Sequence, residues 1–529
     1  MKYYKNKFYA FGTGLFFLAI FYLLWLVIKS GYYFIFNPDE IFNANTIYLM
    51  QKGMRPYVDF YTVYSPIFHW FITPVFWLLG FSFKAISGAR VVMIGLYIVR
   101  IILIFWLVKR IFGKNTAFIF LLLYLFDPFM VFAGMQIRPE SLMMVVYTLF
   151  LIVFSYALNS VIPSVSEGSL APACAGRNAR LSNKLRDSSP AKGGVRMTSG
   201  WLFFLSGTLG AVALLINIKI IPSLAAFGLI FIYLIFQKRL FKQLLLFLNG
   251  FCLSFLVFFA YFLVKGYLPE MFLHVFLDPF KLNSSIPYPT WLGYFYFSNP
   301  TIYGIDGKPV NWMFAWMLPL LAFAGGYKSL FVSVGNGRDR SVHMIKIVLF
   351  LSLIFQWLSM LFIHSVFIQY YIPLNWLYAV FAAVFFQDLL FEIKFGKIVK
   401  VAVAIAVFTI FVMLYRTSIE ANLNRSKLRT DPYLDEFTKV WKMIPEEAPA
   451  FPNVVFRRPI YPVLWGSTFA KYMRDRYPPA YLAIEKYKLH ILTFLNDEYF
   501  GYLDKDSQDY IIKNYKRDSD NPLIWRRVK

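Results

Sequence analysis

Apolar runs long enough to cross a bilayer, about 20 residues each, recur from one end of this chain to the other. No soluble core can bury so many of them, so they decide the class of fold before any motif is considered. Composition agrees. Of 529 residues 59% are hydrophobic and only 15% charged, whereas a typical soluble domain is about 25% charged. Candidate spans fall near 9–28, 91–108, 115–134, 140–158, 200–217, 219–236, 243–264, 312–326, 345–363, 370–390 and 398–415. This predicts an all-α polytopic membrane protein with about eleven transmembrane helices. The stretch Ile67 to Gly80 is apolar but shorter, about 14 residues, and predicts an interfacial or re-entrant helix instead of a span.

The 53 Lys and Arg outnumber the 28 Asp and Glu, for a net charge of +25. Such an excess can serve nucleic acid, but here it flanks apolar segments, and no nucleic-acid partner is expected. Lys109, Arg110 and Lys114, Arg177 to Arg196, Lys238 to Lys242, Arg338 to Lys346, and Lys394 to Lys400 all fall on one side when Ile67–Gly80 is not counted as a span. Basic short loops stay cytoplasmic, so the expected topology is N-terminus in, C-terminus out. Lys2, Lys5 and Lys7 precede an apolar run, Phe8 to Ile28, too long for a signal peptide's core, which predicts an uncleaved first span. Cys174 and Cys252 have no spacing suited to a metal cage or a redox pair.

This topology divides the chain into a membrane domain, 1–415, and an extracytoplasmic C-terminal domain, 416–529. Residues 30–90 and 265–311 form outer loops rich in Tyr, Phe, Trp and Pro, as befits segments at the interface. Residues 160–199 are dominated by Ser, Ala, Gly, Pro and Arg, and predict a disordered cytoplasmic insertion. The tail loses the apolar runs and mixes both charge signs. Patterns such as Tyr461-Pro462-Val463-Leu464-Trp465 and Ile511-Ile512-Lys513-Asn514-Tyr515 predict a small soluble α/β domain there.

Acidic groups are scarce at the membrane, so their positions carry information. Asn37-Pro38-Asp39-Glu40 in the first outer loop fits the first turn of a helix, where Pro and carboxylates are both favoured. It also fits a catalytic base, because a half-dry carboxylate has a raised pKa suited to taking a proton from a hydroxyl. Neighbours on a helix point about 100° apart, so Asp39 and Glu40 are not expected to flank one bond. Gln136-Ile137-Arg138-Pro139-Glu140 places two charges where a span meets the outer face. They suit either a local ion pair or a phosphate held by Arg138 with Glu140 orienting it. His364, followed by Gln369-Tyr370-Tyr371-Ile372-Pro373, taken alone reads first as a structural His and interfacial Tyr anchors, and second as part of a site. Arg100, inside a span, is assigned no role.

In order and spacing these blocks resemble the GT-C glycosyltransferases, in the bacterial branch near the protein O-mannosyltransferases and the aminoarabinose lipid A transferases. The resemblance runs from Asp39-Glu40 through Gly53, Pro56-Tyr57, Asp59-Phe60 and Ser65-Pro66 to Gly80, Ala89-Arg90, Phe112-Gly113, Arg138-Pro139-Glu140, His364 and Gln369-Tyr370-Tyr371-Ile372-Pro373. It implies an inverting transfer, on the outer face of the bacterial plasma membrane, of a sugar carried by a polyprenyl phosphate. The acceptor would be a lipid such as lipid A, a glycan or a protein. By resemblance Asp39 and Glu40 are catalytic, while Arg138, Glu140, His364, Gln369 and Tyr370 bind the donor phosphate or substrate. No metal ligands and no cofactor are implied with certainty, and a divalent cation is left open. Some relatives carry Lys just before the Pro matched by Pro66, where this chain has Ser65, which puts that phosphate contact, and aminoarabinose transfer with it, in question. The absence of a Gly-rich nucleotide cradle suits a lipid donor. The competing readings are a transporter or flippase of lipid-linked glycans, and an enzyme resembling an O-antigen ligase.

Overall fold

The computed structural model describes residues 2–34, 38–127, 134–161, 199–236, 241–285, 317–331, 340–364, 368–393 and 396–427. In the C-terminal part it describes 439, 441–445, 448–451, 456, 479–494 and 497–528. The insertion expected at 160–199, the second half of the loop expected at 265–311 and the pattern at Tyr461–Trp465 lie outside these residues or almost wholly so.

The chain is a multi-pass helical membrane protein with a small C-terminal sheet. Its helices are α1 (Lys2–Tyr33), α2 (Pro38–Gln51), α3 (Pro66–Leu79), α4 (Phe83–Phe112), α5 (Lys114–Phe126), α6 (Pro139–Val161), α7 (Ser199–Ile216), α8 (Ile221–Phe236) and α9 (Phe241–Val264). A kinked unit follows, α10 (Leu268–Phe272), a π-helical turn (Leu273–Leu277) and α11 (Asp278–Ser285). Then come α12 (Leu318–Phe331), α13 (Arg340–Met360), α14 (Ile372–Gln387) and α15 (Lys397–Lys427). Among the described residues, six helices are long and apolar enough to cross a membrane, with α1, α5, α7 and α8 supplying shorter apolar stretches at expected spans. Helix α15 runs without a break past Tyr415 to Lys427, so the expected division at 415 falls inside a continuous helix.

Length and pattern explain α3. Pro66 opens α3 behind Ser65, and the helix buries Phe68, His69, Ile72, Thr73 and Phe76 while exposing Trp70, Phe71, Trp77 and Leu78. A helix of 14 residues spans about 21 Å at 1.5 Å per residue, less than the roughly 30 Å hydrocarbon core, and its exposed aromatics suit the interface. At Gly113, φ is +95° and the amide donates to Lys109 O. This left-handed residue, easy only for Gly, turns α4 directly into α5.

Two helix backbones touch where α7 meets α9. A Cβ on Gly250 would lie 2.1 Å from Phe204 O, and one on Gly207 2.0 Å from Phe247 O. Membrane helices gain their packing energy from such close approach. Gly250→Val should therefore lower stability by about 1–3 kcal/mol or more, seen as a lower melting temperature in detergent. An unchanged value would mean that the two helices are not held at this distance.

The C-terminal sheet has the order β1-β2-β4-β3, built from β1 (Ala450–Phe451), β2 (Ile491–Phe494), β3 (Tyr515–Arg517) and β4 (Ile524–Arg527). β1 runs parallel to β2, Ala450 opposite Thr493, and the other pairs are antiparallel, Leu492 opposite Trp525 and Lys516 opposite Arg526. Helices α16 (Ala480–Lys486), α17 (Asp497–Gly501) and α18 (Lys505–Asn514) accompany it. Of the pattern Ile511 to Tyr515, the first four residues close α18 and only Tyr515 begins a strand. Ile484, Leu492, Phe494, Ile511 and Trp525 form a core that also takes in Tyr61 of the first loop, which docks the sheet onto the segment between α2 and α3.

Candidate active site

The first turn of α2 carries Asp39 and Glu40, and helical geometry sends them to different arginines. Glu40 is fully buried and grips Arg90 of α4 with both oxygens, Oε2 to Nη2 at 2.6 Å and Oε1 to Nε at 2.8 Å. Arg90 also donates to the carbonyls of Phe34 and Tyr32 at the end of α1. Glu40 therefore fastens α2 to α4 and α1, a fork-to-fork pair of the kind guanidinium forms best.

Asp39 instead meets Arg138, Oδ2 to Nη2 at 2.5 Å. Arg138 sits just before Pro139, which opens α6, so Glu140 lies in that helix's first turn, fully buried. The close partner of Glu140 is Lys219, with Nζ 2.5 Å from Oε1. Lys219 lies on the short 3-10 turn Ile218–Ile220 joining α7 to α8, where Asn217 Oδ1 accepts its amide at 3.1 Å. Its ammonium stands 4.1 Å from the ring centroid of Tyr370. Asp39, Arg138, Glu140, Lys219 and Tyr370 thus form one continuous cluster at one end of the bundle.

Burial pushes the Asp39 carboxyl above the ordinary aspartate range, with the attraction of Arg138 opposing it. Tyr64 borders the same cluster. Burial first, and then the carboxylates of Asp39 and Glu140, push its phenol upward, so it stays a neutral hydroxyl. Ser65 Oγ is buried with no hydrogen-bond partner among the described residues.

Of the residues singled out from the sequence, Asp39, Arg138, Glu140 and Tyr370 come together. Glu40 turns away into its own ion pair. Gln369 shares the 3-10 turn Ile368–Tyr371 with Tyr370, and the His364 amide donates to Asn283 Oδ1 at 2.8 Å. Arg138 and Glu140, candidates for a local pair, each have a close partner from another element. Arg100 is fully buried, its guanidinium 5.0 Å and 5.7 Å from the rings of Tyr97 and Tyr124. Among the described residues no group of three or more His, Cys, Asp and Glu side chains could hold a metal ion.

Sequence reasoning missed Lys219, Tyr64, Asn43 and His69. Lys219 did leave a signal, as the one charged residue between Met197 and Gln237. A lone Lys between two apolar helices is expensive unless it has a partner or a task.

Comparison with known proteins agrees with this architecture. Residues 63–164 match the family profile described as dolichyl-phosphate-mannose-protein mannosyltransferase. No curated protein matches the chain by sequence. Among solved structures the chain resembles ArnT from Cupriavidus metallidurans bound to undecaprenyl phosphate, with TM-score 0.55 and 13% identity over 97% of each chain. It also resembles the archaeal oligosaccharyltransferase AglB from Archaeoglobus fulgidus, in complex with an inhibitory peptide and a dolichol-phosphate, with TM-score 0.52 and 13% identity over 98% of this chain and 75% of that one. The chain is a membrane protein with the GT-C fold of these structures, and within it residues 63–164 match the mannosyltransferase profile.

Proposed function

We propose that this protein is a glycosyltransferase that moves a sugar from a polyprenyl phosphate to a hydroxyl-bearing lipid, glycan or protein of the cell envelope, on the outer face of a bacterial plasma membrane. The observation that carries the reading is the buried Asp39–Arg138 pair, a base and a guanidinium in hydrogen-bond contact at the end of the bundle. The outer face follows from the one-sided distribution of basic loops. Related folds in complex with undecaprenyl phosphate and dolichol-phosphate support a lipid-phosphate donor.

In the resting site Arg138 neutralises Asp39. When the donor enters, its phosphate competes for the guanidinium, which prefers a bidentate anion, and Lys219 adds a second cation nearby. Asp39 is then free to take the acceptor's proton. The acceptor oxygen bonds to the anomeric carbon as the carbon–oxygen bond to the phosphate breaks, and the polyprenyl phosphate leaves with the electron pair. The configuration inverts, because a single displacement attacks from the face opposite the leaving group. Arg138 and Lys219 stabilise charge as it develops on the leaving phosphate. Glu140 holds Lys219 in place, and Tyr370 supports its ammonium from the side.

The test is a panel of undecaprenyl-phosphate-linked sugars presented to the purified protein in lipid nanodiscs with envelope extract as acceptor. At least one should be consumed, with release of undecaprenyl phosphate. Consumption of nucleotide sugars alone would contradict the reading.

A further inference from the structure

We infer that Asn43 and His69 are positioning residues that set Arg138 against Asp39 by holding the peptide of Ile137. This deepens the proposed function and rests on its reading of Asp39 and Arg138.

Ile137 is fully buried, and α2 grips it at both ends. Its N–H donates to Glu40 Oε1 at 3.2 Å, and its carbonyl accepts from Asn43 Nδ2 at 2.9 Å. Glu40 and Asn43 stand three residues apart, on one face of the helix. The Ile137 carbonyl belongs to the planar peptide unit that ends at the Cα of Arg138, so fixing its direction limits where the guanidinium can reach. Asp39 stands on the same helix turn as the two gripping residues. One rigid element therefore carries the carboxylate and holds the backbone of its partner.

Asn43 can do this only with its amide in one orientation. Its Nδ2 spends one donor on Ile137 O and the other on Asp39 O at 2.8 Å. Oδ1 must then accept, and it faces His69 Nε2 at 2.9 Å. Burial pushes the His69 imidazole down to about 3, so the ring is neutral and these bonds assign its proton to Nε2. His69 comes from α3, and the chain His69 to Asn43 to Ile137 joins α3, α2 and the start of α6. A flipped amide would leave buried donors and acceptors facing like groups, a costly arrangement.

The grip is tested without reference to activity by hydrogen exchange on the full-length protein. In Asn43→Ala, and equally in His69→Ala, exchange of a peptide covering residues 134–140 should rise by about ten-fold, the size expected from one lost buried hydrogen bond. His69→Gln keeps an N–H donor and should stay near wild type. The functional arm uses undecaprenyl phosphate as probe. Asn43→Ala should bind it more weakly, and Asn43→Ala combined with Arg138→Ala should bind no more weakly than Arg138→Ala alone, because Asn43 acts through Arg138. Unchanged exchange in both Ala variants, or binding losses that add, would overturn the inference. If Arg138→Ala binds undecaprenyl phosphate normally, the phosphate role in the proposed function fails, and exchange alone decides the grip.

Discussion

Asp39→Asn should abolish most sugar transfer while leaving the protein folded and able to bind the donor lipid. An attacking hydroxyl must lose its proton as it reaches the anomeric carbon, and a positioned base is typically worth about 10²–10⁴-fold. Asn keeps the size and much of the hydrogen bonding but cannot accept the proton, and its amide loses the charge that Arg138 meets at 2.5 Å. The pH profile of the wild type gives a second reading of the same group. Only the ionised form is a base, and burial raises the Asp39 pKa. Turnover should therefore fall as pH drops through a value above the ordinary aspartate range, and that limb should vanish in Asp39→Asn. Transfer by the variant at near wild-type rate, with the limb intact, would remove Asp39 from the chemistry.

The second large effect is on folding. Arg90→Ala leaves Glu40 as an uncompensated charge at a site that is fully buried, and breaking such a pair typically costs about 3–5 kcal/mol. It should appear as a marked fall in melting temperature. The double variant Arg90→Met with Glu40→Leu should recover much of the loss, because removing both charges also removes their desolvation penalty. A single variant as stable as wild type would show that Glu40 is not held as the structure places it. The contrast between the two acids is the useful result. Asp39→Asn should lose catalysis with the smaller loss of stability, because Arg138 still faces the Glu140 carboxylate, whereas disrupting the Glu40 pair should lose stability first.

Much of the architecture is legible in the residues because bilayer thickness imposes a length that apolar runs must meet. The short length of α3 follows from its short apolar run. The two ends of the Asp39–Arg138 pair also stand out, since charges are costly at the membrane. Their meeting does not, because the packing of α2 against the start of α6 leaves no local pattern. Arg90 has the look of any charged residue near the end of a long helix, and only the fold reveals its grip on Glu40. Asn43 and His69 are harder still. A polar side chain on a short helix is ordinarily solvated, and nothing in the spacing says that these two are buried and bonded to each other. Helix boundaries are similarly set by neighbours, as α15 shows by continuing through Lys427.

On the proposed function, the cluster around Asp39 and Arg138 receives a polyprenyl phosphate bearing a sugar. Native mass spectrometry of the protein extracted in mild detergent tests this directly, comparing wild type with Arg138→Ala. The expected result is a polyprenyl monophosphate, with or without one sugar, retained by the wild type and largely lost from the variant, since hydrogen bonds to a charged group are worth about 1.5–3 kcal/mol each. Retention of the same lipid in equal amount by both proteins, or a nucleotide sugar in its place, would contradict it.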